Sequence, residues 1–353
     1  MHVTAAMSRR VSPRQAFYME VLLEATIAPR KVPRRFRRAQ GIGTRRWRKM
    51  HQFRRRSRAL ARIPVGLPPL APVPAPDRSL PVAVFDSGVG GLTVLHECLV
   101  SLPHEDFLYL GDTARFPYGD RQPEQLAEFA RELAGILLGR GAKLLVVACN
   151  SATAAALPAL RDELERELPV VAVVEPESRL AAAATENGRV GLIATPATVK
   201  SGAYARALAR EAPHAELHAV ASAELAPLIQ EGGEVDHRTL ACVEGACRPL
   251  KQAGVDTVIL GCTHYPLVRP VLQRELGRKV TIVSSGEAIA AEVEGKLRDH
   301  DMENDEHRRG DYRFLATGDP EQFRRAGTRF LQLPIGAVEH VEVAHAAPAR
   351  SAA

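Results

Sequence analysis

A chain of 353 residues with 46% hydrophobic content has the material for two α/β domains of ordinary size, and its five cysteines are too few and too scattered for a disulfide scaffold. No apolar run reaches the ~18 residues of a membrane span and no secretory leader is seen, so free thiols in a reducing cytoplasm are expected. The net charge of +6 hides an asymmetry: residues 1–80 carry 19 Lys or Arg against three acids, the remainder 28 against 38.

Residues 1–62 are arginine-rich, with Arg34, Arg35, Arg37, Arg38 and the Arg54–Arg56 run set among Phe36, Trp47 and Phe53. Self-repulsion and the lack of apolar periodicity argue against a packed unit there. Residues 63–76 form a Pro-rich linker. The whole of 1–79 is therefore expected to be a disordered basic extension. A nucleic-acid-binding arm and an organelle targeting peptide are the other readings of the same composition, and both are less favoured.

The first strand is expected over Leu80–Phe85, followed by the turn Asp86-Ser-Gly-Val-Gly-Gly91. That turn lacks the third glycine of a dinucleotide fingerprint and the Gly-Lys-Ser/Thr ending of a P-loop. Its free N–H groups suit a carboxylate, and Asp86 would repel a phosphate; as a plainer alternative, Asp86 caps the next helix. Asp106–Leu110 reads as the second strand, opening into the polar loop Gly111–Gly119, which is long enough to close over a ligand with Tyr118 and Gly119. A helix follows over Glu124–Gly139.

Leu144–Ala154, LLVVACNSATA, is the stretch of most interest. A β-branched apolar run ends in Cys149, which places this thiol at the carboxyl end of a buried parallel strand, where such sheets bind ligands. The helix start just beyond is expected to lower its pKa. A buried structural cysteine is the bland alternative. Further helices are expected at Leu157–Glu167, Glu177–Thr185, Ala226–Glu231, Thr239–Gln252 and Ala288–Leu297. Further strands are expected at Val170–Val174, Val190–Ala194, Ala215–Ala221, Thr257–Leu260, Val280–Val283, Arg313–Ala316 and Thr328–Leu331, and a disordered tail at the end.

The Cys149 pattern recurs in Val258–Val268, VILGCTHYPLV, with Cys262 lying 113 residues on. Asp86 and Thr195 fill matching turns 109 residues apart. Two similar α/β halves, each offering one cysteine to a common cleft, follow from this repetition. Two opposed thiols can invert a carbon acid without a cofactor: one, as thiolate, removes a proton and the other supplies one to the opposite face. An ordinary thiol has a pKa of about 8.5, so a lowered pKa or a neighbouring base is needed, and Asp86 and His264 are the nearest candidates. Ser87, Asn150, Ser151 and Thr263 could hold the substrate carboxylate. Cys242 and Cys247 have no companion pair at zinc spacing, so no metal is expected.

The set FDSGVGGLTVL (85–95), YLGDTARFPYG (109–119), VVACNSATA (146–154), VVEP (173–176) and LGCTHYPL (260–267) resembles glutamate racemase, over most of residues 80–340. The resemblance implies two flavodoxin-like domains with parallel sheets and an active site in the cleft between them: 80–175 plus 286–340, and 176–285, leaving 341–353 as the tail. It implies cofactor-independent interconversion of L- and D-glutamate for peptidoglycan synthesis, in the cytoplasm, by a homodimer. Cys149 and Cys262 would be the acid/base residues, and Asp86-Ser87, Tyr118-Gly119, Asn150-Ser151 and Thr263-His264 the substrate-binding pairs.

The chain departs from the family pattern at Ser151, where Thr is usual, and at Phe116 and Ser284, where Cys and Asp are common. Gln230 stands where a Glu is usual; no role is assigned to it, nor to Glu231 beside it. An aspartate racemase is the nearest rival, and His264 after Cys-Thr favours glutamate. A single-cysteine hydrolase would leave the second cysteine idle. A nucleic-acid binder would work through the arm.

Overall fold

The computed structural model describes residues 77–344 except 167, 233–234 and 306; the basic extension through residue 76 and the tail from 345 lie outside these. Strands β1 (Val82–Asp86), β2 (Phe107–Gly111), β3 (Leu144–Val147) and β4 (Val170–Ala172) alternate with helices α1 (Leu92–Ser101), α2 (Pro123–Leu138) and α3 (Asn150–Leu164). Helix α4 (Val174–Ala184) carries the chain to a second sheet. There β5 (Arg189–Ala194), β6 (Glu216–Ala221), β7 (Thr257–Gly261) and β8 (Thr281–Val283) alternate with α5 (Pro196–Ser201), α6 (Ala203–Glu211), α7 (Leu225–Glu231), α8 (His237–Ala253) and α9 (Arg269–Leu276). Helix α10 (Ser285–Asp299) leads back, and β9 (Tyr312–Ala316), α11 (Pro320–Leu331) and β10 (Val338–His340) complete the first sheet. Among the described residues no helix is long and apolar enough to cross a membrane.

Every strand pairing is parallel, in the orders β10-β9-β2-β1-β3-β4 and β6-β5-β7-β8. The α/β class with two parallel sheets is therefore as the sequence implies. Helices cover both faces of the first sheet, which is why its strands read as continuous apolar runs: all four residues of β3 are buried. Ala83 and Phe85 of β1 join Leu126, Leu133 and Leu137 of α2 and Leu160 of α3 in one core. On the other face Tyr109 packs against Phe323 of α11, ring centres 6.0 Å apart. In each sheet the strand order reverses beside the first strand, between β1 and β3 and again between β5 and β7. Such reversals leave a crevice at the carboxyl ends of the strands. Phe85 pairs with Val147 and Ala194 with Gly261, so each crevice has matched lips.

Several elements differ from expectation. Thr328–Leu331 is the last turn of α11, not a strand. Asp319 caps that helix, Pro320 opens it, and Phe323, Gly327, Phe330 and Leu331 bury one helical face. The edge strand β10 is short and largely exposed, with no apolar run to announce it. Helix α3 runs from Asn150 through Pro158 to Leu164, so the helix start expected beside Cys149 and the further helix expected from Leu157 are one element. Strand β4 ends at Ala172, because Val174 already opens α4. Beyond β10 the chain is still packed: the Val341 N–H donates to the Ala316 carbonyl and the Ala344 N–H to Glu132 Oε1.

Candidate active site

Cys149 lies two residues past β3 and forms the N-cap of α3, its Sγ accepting the Ala152 N–H at 3.4 Å. Asn150 and Ser151 make the first turn of that helix. Cys262 follows β7 directly, with Thr263 and His264 next, before the single turn Tyr265–Val268. Both thiols line one cavity, together with Ser87, Tyr118, Gly119, Asn150, Ser151, Thr195, Thr263 and His264. Asp86 stands one layer behind. Its Oδ2 accepts the Gly88 N–H at 3.0 Å, and its Oδ1 accepts the Thr263 hydroxyl at 3.3 Å, a bond that joins the two sheets. The remaining cysteines, Cys98 on α1 and Cys242 and Cys247 on α8, do not line the cavity.

His264 is held on three sides. Phe116 from the loop after β2 lies 5.4 Å from its ring centre and Phe330 of α11 meets it edge-on at 5.2 Å. Its Nε2 is 2.9 Å from Gln230 Oε1, and its Nδ1 is 3.8 Å from Cys262 Sγ. An amide oxygen only accepts, so Nε2 carries the hydrogen and the Nδ1 lone pair faces the thiol. The glycine turn after β1 makes room for this arrangement, since a Cβ on Gly90 would overlap the His264 ring and the Thr263 hydroxyl. The cavity itself measures only about 20 Å³, space for about one water. Beside it lies a wider cavity of about 790 Å³ bordered by Gln230, Arg325 and Arg329; Phe116, Pro117 and Pro227 form walls of both.

Residues 94–293 match the Asp/Glu/Hydantoin racemase family model. A glutamate racemase of Beutenbergia cavernae is 46% identical over 261 residues, covering 71% of this chain and 89% of the relative. Among solved structures, a glutamate racemase isoform of Bacillus anthracis superimposes with a TM-score of 0.72 at 37% identity, over 76% of this chain and 99% of that one. The Francisella tularensis glutamate racemase, solved with D-glutamate, gives 0.70 at 30% identity over 75% and 98%. This chain belongs to the glutamate racemase family. It is an isomerase, and the racemase fold accounts for both of its sheets.

In this racemase burial dominates the electrostatics of the site. The Cys149 thiol is pushed up to about 12, first by burial and then by the Asp86 charge, with the Ala152 N–H and Ser87 pulling the other way. The helix start expected to lower it is present, but its pull is weaker than desolvation. Cys262 is raised further, again by burial first, with the charges of Asp86, Cys149 and Glu177 adding to it. Burial alone brings His264 down to about 3, so its ring is neutral. Asp86 is raised by burial against the N–H groups of Gly91, Gly88 and Ser87.

Around the candidate site, the sequence marked Thr195 only as the counterpart of the Asp86 turn and did not mark Glu177 or Tyr204. Thr195, the N-cap of α5, bonds Ser151 Oγ through its hydroxyl at 2.9 Å and Thr198 at 3.0 Å. The Thr-Pro pair there is a readable helix start. Glu177 and Tyr204 lie inside Ala-rich helices, with nothing local to mark them.

Proposed function

We propose that this racemase interconverts L- and D-glutamate by proton transfer at the α-carbon, with Cys149 and Cys262 as its two acid/base groups and no cofactor. The observation that carries the reading is the shared cavity: two thiols, each from the strand ends of its own sheet, border one small space. One sulfur, as thiolate, takes the α-hydrogen. The carbanion then takes the proton of the opposite thiol on its other face, so the centre inverts and the sulfurs exchange roles. Both groups begin as thiols, because burial opposes the charged form. The substrate ammonium brings a cation into the same enclosure, and an opposite charge within about 4–6 Å favours the thiolate. Asp86 beside Cys149 and His264 beside Cys262 are the auxiliary groups that receive and return the thiol protons.

Ser87, Tyr118, Gly119, Asn150, Ser151, Thr263 and His264 hold the substrate, with the N–H groups at the start of α3 and the hydroxyls serving its carboxylates. The segments 80–175 with 286–340, and 176–285, act as two domains that close on it. The product is D-glutamate for peptidoglycan, made in the cytoplasm by a homodimer. The Francisella enzyme with D-glutamate bound supports the substrate. The test is the purified chain with L-glutamate in heavy water, without added cofactor; D-glutamate with deuterium at the α-carbon is the expected product. Cys149→Ala and Cys262→Ala should each lower racemisation by about 10²–10⁴-fold, the worth of a general acid or base. Near-parent turnover in either variant rules out the two-base mechanism.

A further inference from the structure

Glu177 is fully buried, and among the described residues no cation faces its carboxyl group. A buried carboxyl without a counter-charge is costly, so its place in the fold calls for a cause. Four elements converge on it. Glu177 belongs to α4, on the way to the second sheet, and the Ser285 side chain at the start of α10, on the way back, is near enough to the carboxyl to ease its charge. The Tyr204 hydroxyl of α6 donates to Oε2. Asn150 of α3 points its Nδ2 at the same Oε2, 3.3 Å away, and at the Tyr204 oxygen, 2.6 Å away. The bonds therefore run in one direction, from Asn150 through Tyr204 to Glu177. Two buried oxygens of this group have no partner: Glu177 Oε1 and Asn150 Oδ1.

When Glu177 is ionised its Oε2 only accepts, so the single Tyr204 proton is directed to it and toward Asn150 the Tyr204 oxygen only accepts. Asn150 must then turn its NH₂ inward, and the carbonyl is what the amide has left. Asn150 lines the cavity next to Cys149. A buried carbonyl without a partner is satisfied by a donor that the ligand brings, and the ammonium group of an amino acid is such a donor. We propose that Glu177 is a positioning residue: as the terminal acceptor of the Asn150–Tyr204 chain, it holds the Asn150 carbonyl ready for the substrate ammonium. The choice of substrate rests on the glutamate reading above, whereas the amide orientation does not. Gln at position 177 has an NH₂ of its own to donate, so it would accept the reversed amide and remove the enforced direction.

The test has two arms, both on the full chain and both above pH 8, where Glu177 is ionised. In the substrate-free protein, the Asn150 side-chain NH₂ resonance is identified by its absence in Asn150→Asp. It should exchange with solvent about tenfold or more faster in Glu177→Gln and in Tyr204→Phe than in the parent. An unchanged resonance in both variants overturns the proposal, whatever the substrate. With L-glutamate, Glu177→Gln should raise KM about tenfold while kcat stays within about threefold, and it should add nothing in an Asn150→Ala background. An unchanged KM, or the same increase in both backgrounds, also overturns it. Should the parent not racemise glutamate, the functional reading falls and the resonance arm alone decides this one. If Glu177→Gln does not fold, Tyr204→Phe, which keeps the ring, serves in both arms.

Discussion

Gly90 acts through the atom it lacks. Its bare backbone leaves the space taken by the His264 ring and the Thr263 hydroxyl, so the glycine turn of the first sheet is a socket for the cysteine loop of the second. Gly90→Ala should lower kcat/KM for glutamate about 100-fold, the usual effect of a displacement of about 1 Å at a reacting centre, as steady-state kinetics would show. Two buried groups give opposite pH signatures. His264 falls from 6.5 to about 3, so below pH 6.5 the unfolded chain takes up a proton that the folded chain refuses. Its contribution to stability is complete above 6.5 and is lost as pH falls toward 3. Glu177 rises from 4.5 to about 8 through burial, so its contribution is complete below 4.5 and is lost as pH rises through 8. Urea titrations from pH 4 to 9 should show His264→Gln flattening the acid limb and Glu177→Gln the alkaline limb, each by up to about 1.4 kcal/mol per pH unit.

At the scale of elements, the loop between β2 and α2 is anchored from within. Arg115, 1% exposed, pairs with Asp112 at 2.6 Å and with Glu132 of α2 at 2.5 Å, and its guanidinium lies 4.1 Å from the Phe129 ring centre. Asp112 also accepts from Tyr118 and, at 2.7 Å, from Thr317. This ion-paired knot presents Phe116, Tyr118 and Gly119 to the cavity. Arg115→Ala strands a buried carboxylate and should cost about 3–5 kcal/mol in a denaturant titration. Arg115→Lys should not restore it, for lack of the planar fork. The strand ends that bear the cysteines were legible because β3 and β7 are buried on both faces, and an apolar run that stops at a polar residue survives without knowledge of its neighbours. The glycine turn was legible as a turn, but its use as a socket was not, because its occupant lies 174 residues away. Helix α11 was misread because TRFL alone fits a strand, and only its apolar spacing back to Phe323 makes it helical. The helix start beside Cys149 could be seen in the sequence, while the depth of burial that outweighs it is a property of the assembled fold.

At the scale of the whole molecule, the thiols are enclosed in a space of about 20 Å³, far less than an amino acid occupies. Phe116, Pro117 and Pro227 wall both that space and the wider cavity, so in the proposed mechanism substrate reaches the sulfurs when this partition moves. Turnover should accordingly fall in proportion to solvent viscosity in sucrose series; a kcat that ignores viscosity places the slow step in proton transfer instead. The route of the chain limits the kind of movement. Helices α4 and α10 lie against each other, so the polypeptide passes between its sheets on two adjacent pins and not on a single tether. If the two domains close on substrate as proposed, a paired crossing confines that closure to one plane. In the proposed two-thiol mechanism the sulfurs then return to one fixed gap, and a guest too bulky for it leaves no carbon within reach of both.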